Sequence, residues 1–106
     1  MWKDDNDKIM ELYDGLLSRN MEFPSVCPVC GEKEGHVHVH AYDELHGGIW
    51  MWCSACRSYA HMSGIIPTWW KNSVITTEDD LISEPTYLEE KKEDIDRWVN
   101  NVIFEK

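Results

Sequence analysis

Cys27-Pro28-Val29-Cys30-Gly31 and Cys53-Ser54-Ala55-Cys56-Arg57 decide how this chain is read. They hold all four of its cysteines, and 22 residues separate Cys30 from Cys53. A C-x2-C pair lets two thiolates of one tight turn face a common ion, and two such turns joined by a hairpin complete a tetrahedral S4 site. Cys27, Cys30, Cys53 and Cys56 are therefore the expected metal ligands. With four protein ligands and no open position, the site is structural rather than catalytic. One Zn2+ is the expected occupant, and iron fits the same donor set. A redox Cys27/Cys30 pair would need a βαβ setting and leaves the second pair unexplained. Two disulfides would suit a secreted chain, but Met1-Trp2-Lys3-Asp4-Asp5-Asn6-Asp7 is acidic where a secretory leader is basic and then apolar.

Between the knuckles, His36-Val37-His38-Val39-His40-Ala41-Tyr42 alternates with the period of a strand, valines and alanine on one face and histidines on the other. Asp43 to Gly48 has turn composition. Ile49-Trp50-Met51-Trp52-Cys53 is apolar on both faces, the pattern of a covered central strand. Ser58 to Ser63 forms a third strand, closed by Gly64. Before the knuckles, Ile9, Leu12, Tyr13, Leu16 and Leu17 make one helical stripe, with Asp4, Asp5 or Asn6 available to cap it and Asn20 near its end. After them, Thr77-Glu78-Asp79-Asp80 and Thr86-Tyr87-Leu88-Glu89 match the capping-box pattern. Leu88, Ile95, Trp98, Val99, Val102 and Ile103 then define a C-terminal amphipathic helix.

The expected architecture is one α+β domain over 1–106. It comprises an N-terminal helix (4–20), a metal-knuckle ribbon of three antiparallel strands (25–63), an aromatic crossover (64–85) and a C-terminal helix (86–104). The two helices cover one sheet face each.

The Cys-Pro-Val-Cys-Gly knuckle resembles the zinc-ribbon family over about residues 25–63. That resemblance implies Cys27, Cys30, Cys53 and Cys56 as ligands, and Gly31 as a turn residue with positive φ that lets backbone N–H groups face the sulfurs. Arg57 departs from it, standing where the second knuckle usually has glycine, so that turn is expected to be tighter or differently built. The segment Trp52 to His61 also resembles small bacterial ribbon proteins, some of them similar to toxin-immunity factors.

Charge narrows the function classes. Twenty acidic residues oppose ten basic ones, a formal net of −10; four thiolates and a dication would bring it to about −12. Phosphate-binding surfaces need the opposite sign, so direct nucleic-acid binding is disfavoured. No apolar run approaches the ~20 residues of a membrane span, and reduced thiols point to the cytoplasm. From Glu78 to Asp96, nine acids face only Lys91 and Lys92. Such a run either keeps the chain dissolved or docks a basic partner.

Three other groups invite a role. Strand neighbours such as His36, His38 and His40 lie ~7 Å apart on one face, wide for a single ion, so half-exposed surface histidines are expected. Trp50, Trp52 and Trp98 are core candidates. Trp69 and Trp70 cannot easily both turn inward, so one becomes a candidate partner anchor beside Glu89, Glu90, Glu93 and Asp94. The sequence carries no Gly-x-Ser-x-Gly elbow, P-loop or His-Glu-x-x-His. The expectation is therefore a non-enzymatic, zinc-stabilised module that binds a basic protein, of inhibitor or immunity type. The alternative is a transcription- or translation-associated ribbon touching polymerase or nucleic acid; an enzyme using the histidine face ranks third.

Overall fold

The computed structural model describes residues 2–4 and 7–104. Its elements are β1 (Lys3–Asp4), α1 (Glu11–Ser18), β2 (Gly35–Ala41), β3 (His46–Cys53), β4 (Ser58–Ile65), a 3-10 turn (Glu78–Asp80), α2 (Thr86–Glu90) and α3 (Lys92–Phe104). The fold is α+β, but the sheet has four strands in the order β1-β4-β3-β2, not three. β2, β3 and β4 form the expected antiparallel meander, with β1 added in parallel at the β4 edge. Two local contacts account for that extra strand. Trp2 packs edge-on against Tyr59 at 6.4 Å, and the Arg57 guanidinium lies over the Trp2 ring at 4.9 Å.

Residues 3–4 are thus strand, and the N-terminal helix is Glu11–Ser18 rather than 4–20. Asp4 does not cap it, and Asp5 and Asn6 lie outside the described residues. Met10 occupies the cap without a side-chain bond. The expected stripe is real: Ile9, Leu12, Tyr13 and Leu16 are buried, whereas Leu17 is 44% exposed. The C-terminal helix is likewise two pieces, broken at Lys91. Of the first capping box the acidic half forms, with the Thr77 amide and hydroxyl both donating to Asp80 Oδ2 (3.0 and 3.1 Å), while α2 follows Pro85 with no side-chain cap.

Register fixes what each face carries, because directly opposed residues of antiparallel strands share a face. His36–Trp52–Tyr59 and His38–Trp50–His61 are rows on one face; Val37–Met51–Ala60 and Val39–Ile49–Met62 are rows on the other. Leu12 of α1 lies over Gly35, on the valine face. α2, α3 and residues 75–82 cover the histidine face. Trp50 Nε1–H donates to the Ile82 carbonyl at 2.7 Å, and Thr76 Oγ1 meets His38 Nε2 at 3.2 Å. Two of the three histidines are consequently not half-exposed: His36 and His38 are 1% and 2% exposed, whereas His40 is half-buried as expected. Alternation placed them correctly on one face, but that face is roofed.

The hairpin is tighter than expected, with β3 beginning at His46, so Gly47 and Gly48 are strand residues. A Cβ on Gly47 would stand 2.5 Å from the His40 carbonyl oxygen, so the close approach of β2 and β3 needs glycine there. β2 is an edge strand whose two ends are occupied. Ser25 pairs with Gly35 through both backbone groups, and the Asn72 amide accepts from Ala41 N–H (2.9 Å) and donates to its carbonyl (3.1 Å). Such plugs discourage edge-to-edge pairing.

Candidate metal centre

The two knuckles converge at the β3 end that carries Cys53. Each is the same backbone device. Gly31 N–H donates to the Cys27 carbonyl (2.9 Å), and Arg57 N–H donates to the Cys53 carbonyl (3.0 Å). Both closing residues take the left-handed conformation, Gly31 at φ 83 and Arg57 at φ 65. Arg57 therefore does not change the turn; it adopts the glycine geometry at a conformational cost of roughly 1–2 kcal/mol. Its stacking on Trp2 partly offsets that cost.

This geometry gathers the four Sγ atoms within 4.8 Å of one another. Cys27 and Cys56 stand 3.8 Å apart, and Cys30 and Cys53 3.7 Å. A tetrahedron with ~2.3 Å metal–sulfur bonds has edges of about 3.8 Å, so these separations suit a single ion. They are far beyond the ~2.05 Å of a disulfide. Val29 N–H points at Cys27 Sγ (3.3 Å), and Ala55 and Cys56 N–H point at Cys53 Sγ (3.3 and 3.5 Å), the outer hydrogen bonds that temper bound thiolates. Burial pushes the Cys27 thiol up and Cys53 up to about 12. For Cys56 burial also acts upward, but the Ser58 hydroxyl and amide outweigh it and bring the thiol down to about 7. A dication at the centre removes the penalty on buried thiolates, since coordination deprotonates a thiol outright. Among the described residues, this quartet is the group of Cys, His, Asp and Glu side chains placed to hold an ion; the histidine strand forms no second site.

A polar chain begins one residue beyond Cys53. Successive strand residues face opposite ways, so Ser54 points toward the α2–α3 layer. Its hydroxyl donates to Glu89 Oε1 at 2.6 Å and lies 2.8 Å from His36 Nε2. Trp52 Nε1–H donates to the same carboxylate oxygen at 3.1 Å, and Lys92 Nζ reaches Oε2 at 3.2 Å. On the far side of the imidazole, His36 Nδ1 sits 2.8 and 2.9 Å from the two Asp96 oxygens. The imidazole thus bridges Ser54 on one side and Asp96 on the other. Burial pushes Asp96 up. For Glu89 burial acts the same way, but the donors Ser54, Lys92 and Trp52 prevail and hold it below the usual carboxylate range.

Carboxylate, imidazole and hydroxyl in this order repeat the connectivity of a nucleophilic triad. The neighbouring groups bind it into the scaffold. The Ser54 amide donates to the Glu34 carbonyl (3.0 Å), those of Ala55 and Cys56 face a sulfur, and Lys92 Nζ, 3.5 Å from Ser54 Oγ, is paired with Glu89 (3.2 Å), so the donors around the hydroxyl are already engaged. The buried imidazole packs against Trp52, ring centroids 5.2 Å apart and planes tilted by 31°, and is 1% exposed. The chain acts as a polar tie between the second knuckle and two helices.

The candidate partner residues divide. Trp70 is buried and Trp69 half-buried beneath Arg19, whose guanidinium lies 4.6 Å from its ring centroid. Glu89 turns inward, while Glu90, Glu93 and Asp94 face solvent, Asp94 paired with Arg97 at 3.2 Å. Trp50 and Trp52 are core, and Trp98 is half-buried with its Nε1–H on the Lys71 carbonyl. Sequence reasoning missed Ser54 and Asp96. The available signal was an acid at position 96 on the apolar stripe of Ile95, Val99, Val102 and Ile103, opposite a strand of histidines. No helix among the described residues is long and apolar enough to cross a membrane. No protein-family model, curated protein or solved structure matches this chain.

Proposed function

We propose that the chain is a zinc-stapled, zinc-ribbon-like docking module of the cytoplasm that binds a basic protein, as an inhibitor or immunity-type partner of a toxin or nuclease. The observation that carries this reading is how the charges divide. His36, Asp96 and Glu89 are spent on the interior tie, so chemistry-bearing groups are committed to scaffold, while Glu90, Glu93 and Asp94 remain outside on a chain of net charge −10. An acidic face on a rigid support accelerates and orients association with a cationic partner. The same charge opposes the polymerase- or nucleic-acid-contacting alternative, which would need Lys and Arg around the knuckles.

The test is affinity capture from nuclease-treated lysate of the source cells by the zinc-loaded protein, repeated with Glu90→Lys, Glu93→Lys and Asp94→Lys combined. Glu89 is left intact because it belongs to the interior. One basic protein recovered stoichiometrically, associating more slowly and with a weaker salt dependence in the variant, supports the reading. Polymerase or ribosomal components, or recovery indifferent to the reversal, overturns it.

A further inference from the structure

We propose that Ser54 couples metal occupancy to the docking of α2 and α3, so that loss of the ion lifts this helical layer and uncovers the Trp50–Trp52 face. The inference rests on the tetrathiolate centre alone and is independent of any partner. Ser54 is held between two parts of the knuckle. Its amide is anchored on Glu34 (3.0 Å), its predecessor Cys53 is a metal ligand, and the Arg57 N–H closes the turn behind it. From that position one hydroxyl serves both helices, α2 through Glu89 at 2.6 Å and α3 through His36 at 2.8 Å and Asp96 beyond.

The two sheet faces respond differently to slack at the knuckle. On the valine face, the contact is apolar: Leu12 and Leu16 of α1 and the preceding Ile9 share one buried cluster with Val37, Val39, Ile49 and Met51. Such contact is non-directional and tolerates small shifts. On the histidine face, the layer also buries Leu88, Ile95, Val99 and Val102, and its far end is tied through Asn100 to Phe23 (2.8 Å). Next to the knuckle, however, it is held by hydrogen bonds of 2.6 to 2.9 Å, which weaken steeply with displacement. If the knuckle opens, Ser54 leaves: Glu89 loses its shortest donor and His36 Nε2 its partner, so the part-buried carboxylate is drawn toward water and the His36–Asp96 contact loses its anchor on the knuckle. α2 and α3 follow. Beneath them lie Trp50 and Trp52, both fully buried, and the Trp50–His61 stack at 4.4 Å. The metal thereby determines whether a large aromatic surface is shown or hidden.

Hydrogen exchange read by peptide, alongside the metal content of each sample, tests this. Metal-loaded Ser54→Ala keeps one ion per chain, yet its α3 amides (95–103) exchange about tenfold or more faster, while α1 and β2–β3 amides keep wild-type rates. Ser54→Thr, which restores a hydroxyl, returns α3 toward the wild-type rate. Glu89→Gln, on α2 and outside the knuckle sequence itself, repeats the Ser54→Ala pattern and serves as the deciding variant should Ser54→Ala fail to load metal. Chelating the wild type accelerates α2–α3 before α1. Unchanged α3 exchange in Glu89→Gln, or α1 and α3 opening together on chelation, overturns the coupling.

Discussion

His38 makes the fold acid-sensitive in a way that one substitution can remove. Its ring is buried, only Nε2 meets a polar partner (Thr76 Oγ1, 3.2 Å), and Nδ1 has none. Burial first, and then the nearby His40, pull its pKa down to about 3. In the unfolded chain an imidazole titrates near 6.5. Between those values the unfolded state holds the extra proton, so acid favours unfolding. The stabilisation is fully present above about pH 6.5 and is lost as pH falls toward 3. Integrating from pH 7 to pH 5 gives a loss of roughly 2 kcal/mol from this one residue. His61, lowered by burial, adds in the same direction, whereas Asp96, raised by burial, opposes it. The assay is urea unfolding of metal-saturated wild type and His38→Gln at pH 7 and pH 5, followed by tryptophan fluorescence. Thiolate protonation is common to both proteins and cancels in the difference. The wild type should lose about 2 kcal/mol more than the variant over this interval, whatever the variant's stability at pH 7. Equal losses would refute a neutral, buried His38.

Cys53→Ser should abolish stoichiometric metal binding and lower the melting temperature to that of chelator-treated wild type, because binding energy at such sites is stabilising energy; calorimetry with and without chelator checks it. Gly31→Ala meets open space but φ 83, so its cost should be purely conformational, about 1 kcal/mol. Gly47→Ala drives a Cβ into the His40 carbonyl and should cost more, roughly 2–3 kcal/mol, by chemical denaturation. Asn72→Ala removes the amide that plugs the edge at Ala41 and accepts from Trp70 Nε1. It should lose about 1–2 kcal/mol and self-associate at high concentration, seen by light scattering.

The gathering of the four cysteines and the three-strand meander were legible because each is a local pattern: a spacing of Cys-x2-Cys, an alternation, a continuous apolar run. The short parallel β1 was not, since two residues carry no period, and what holds them is pairing to β4, the Lys3 N–H bond to the Arg57 carbonyl (2.7 Å) and Trp2 against Tyr59 and Arg57, all of them distant in sequence. The burial of the histidines was hidden for a related reason. Read alone, β2 presents a polar face, and polar faces usually meet water. Here that face meets Asp96, 60 residues away, and Thr76, 38 residues away, so the pairing is a tertiary property. Glu89 misled in the same manner. Its capping-box position pointed to its own helix start, while Trp52 and Ser54 offered it two donors across the layer.

The claim beneath all of this is that four cysteines hold one ion. X-ray absorption at the metal edge, taken with elemental analysis of protein purified without added metal, tests it most directly. The account predicts one zinc per chain with four sulfur scatterers at about 2.3 Å. A shell containing nitrogen or oxygen, or a chain isolated with Cys27–Cys56 and Cys30–Cys53 oxidised and metal-free, would contradict it.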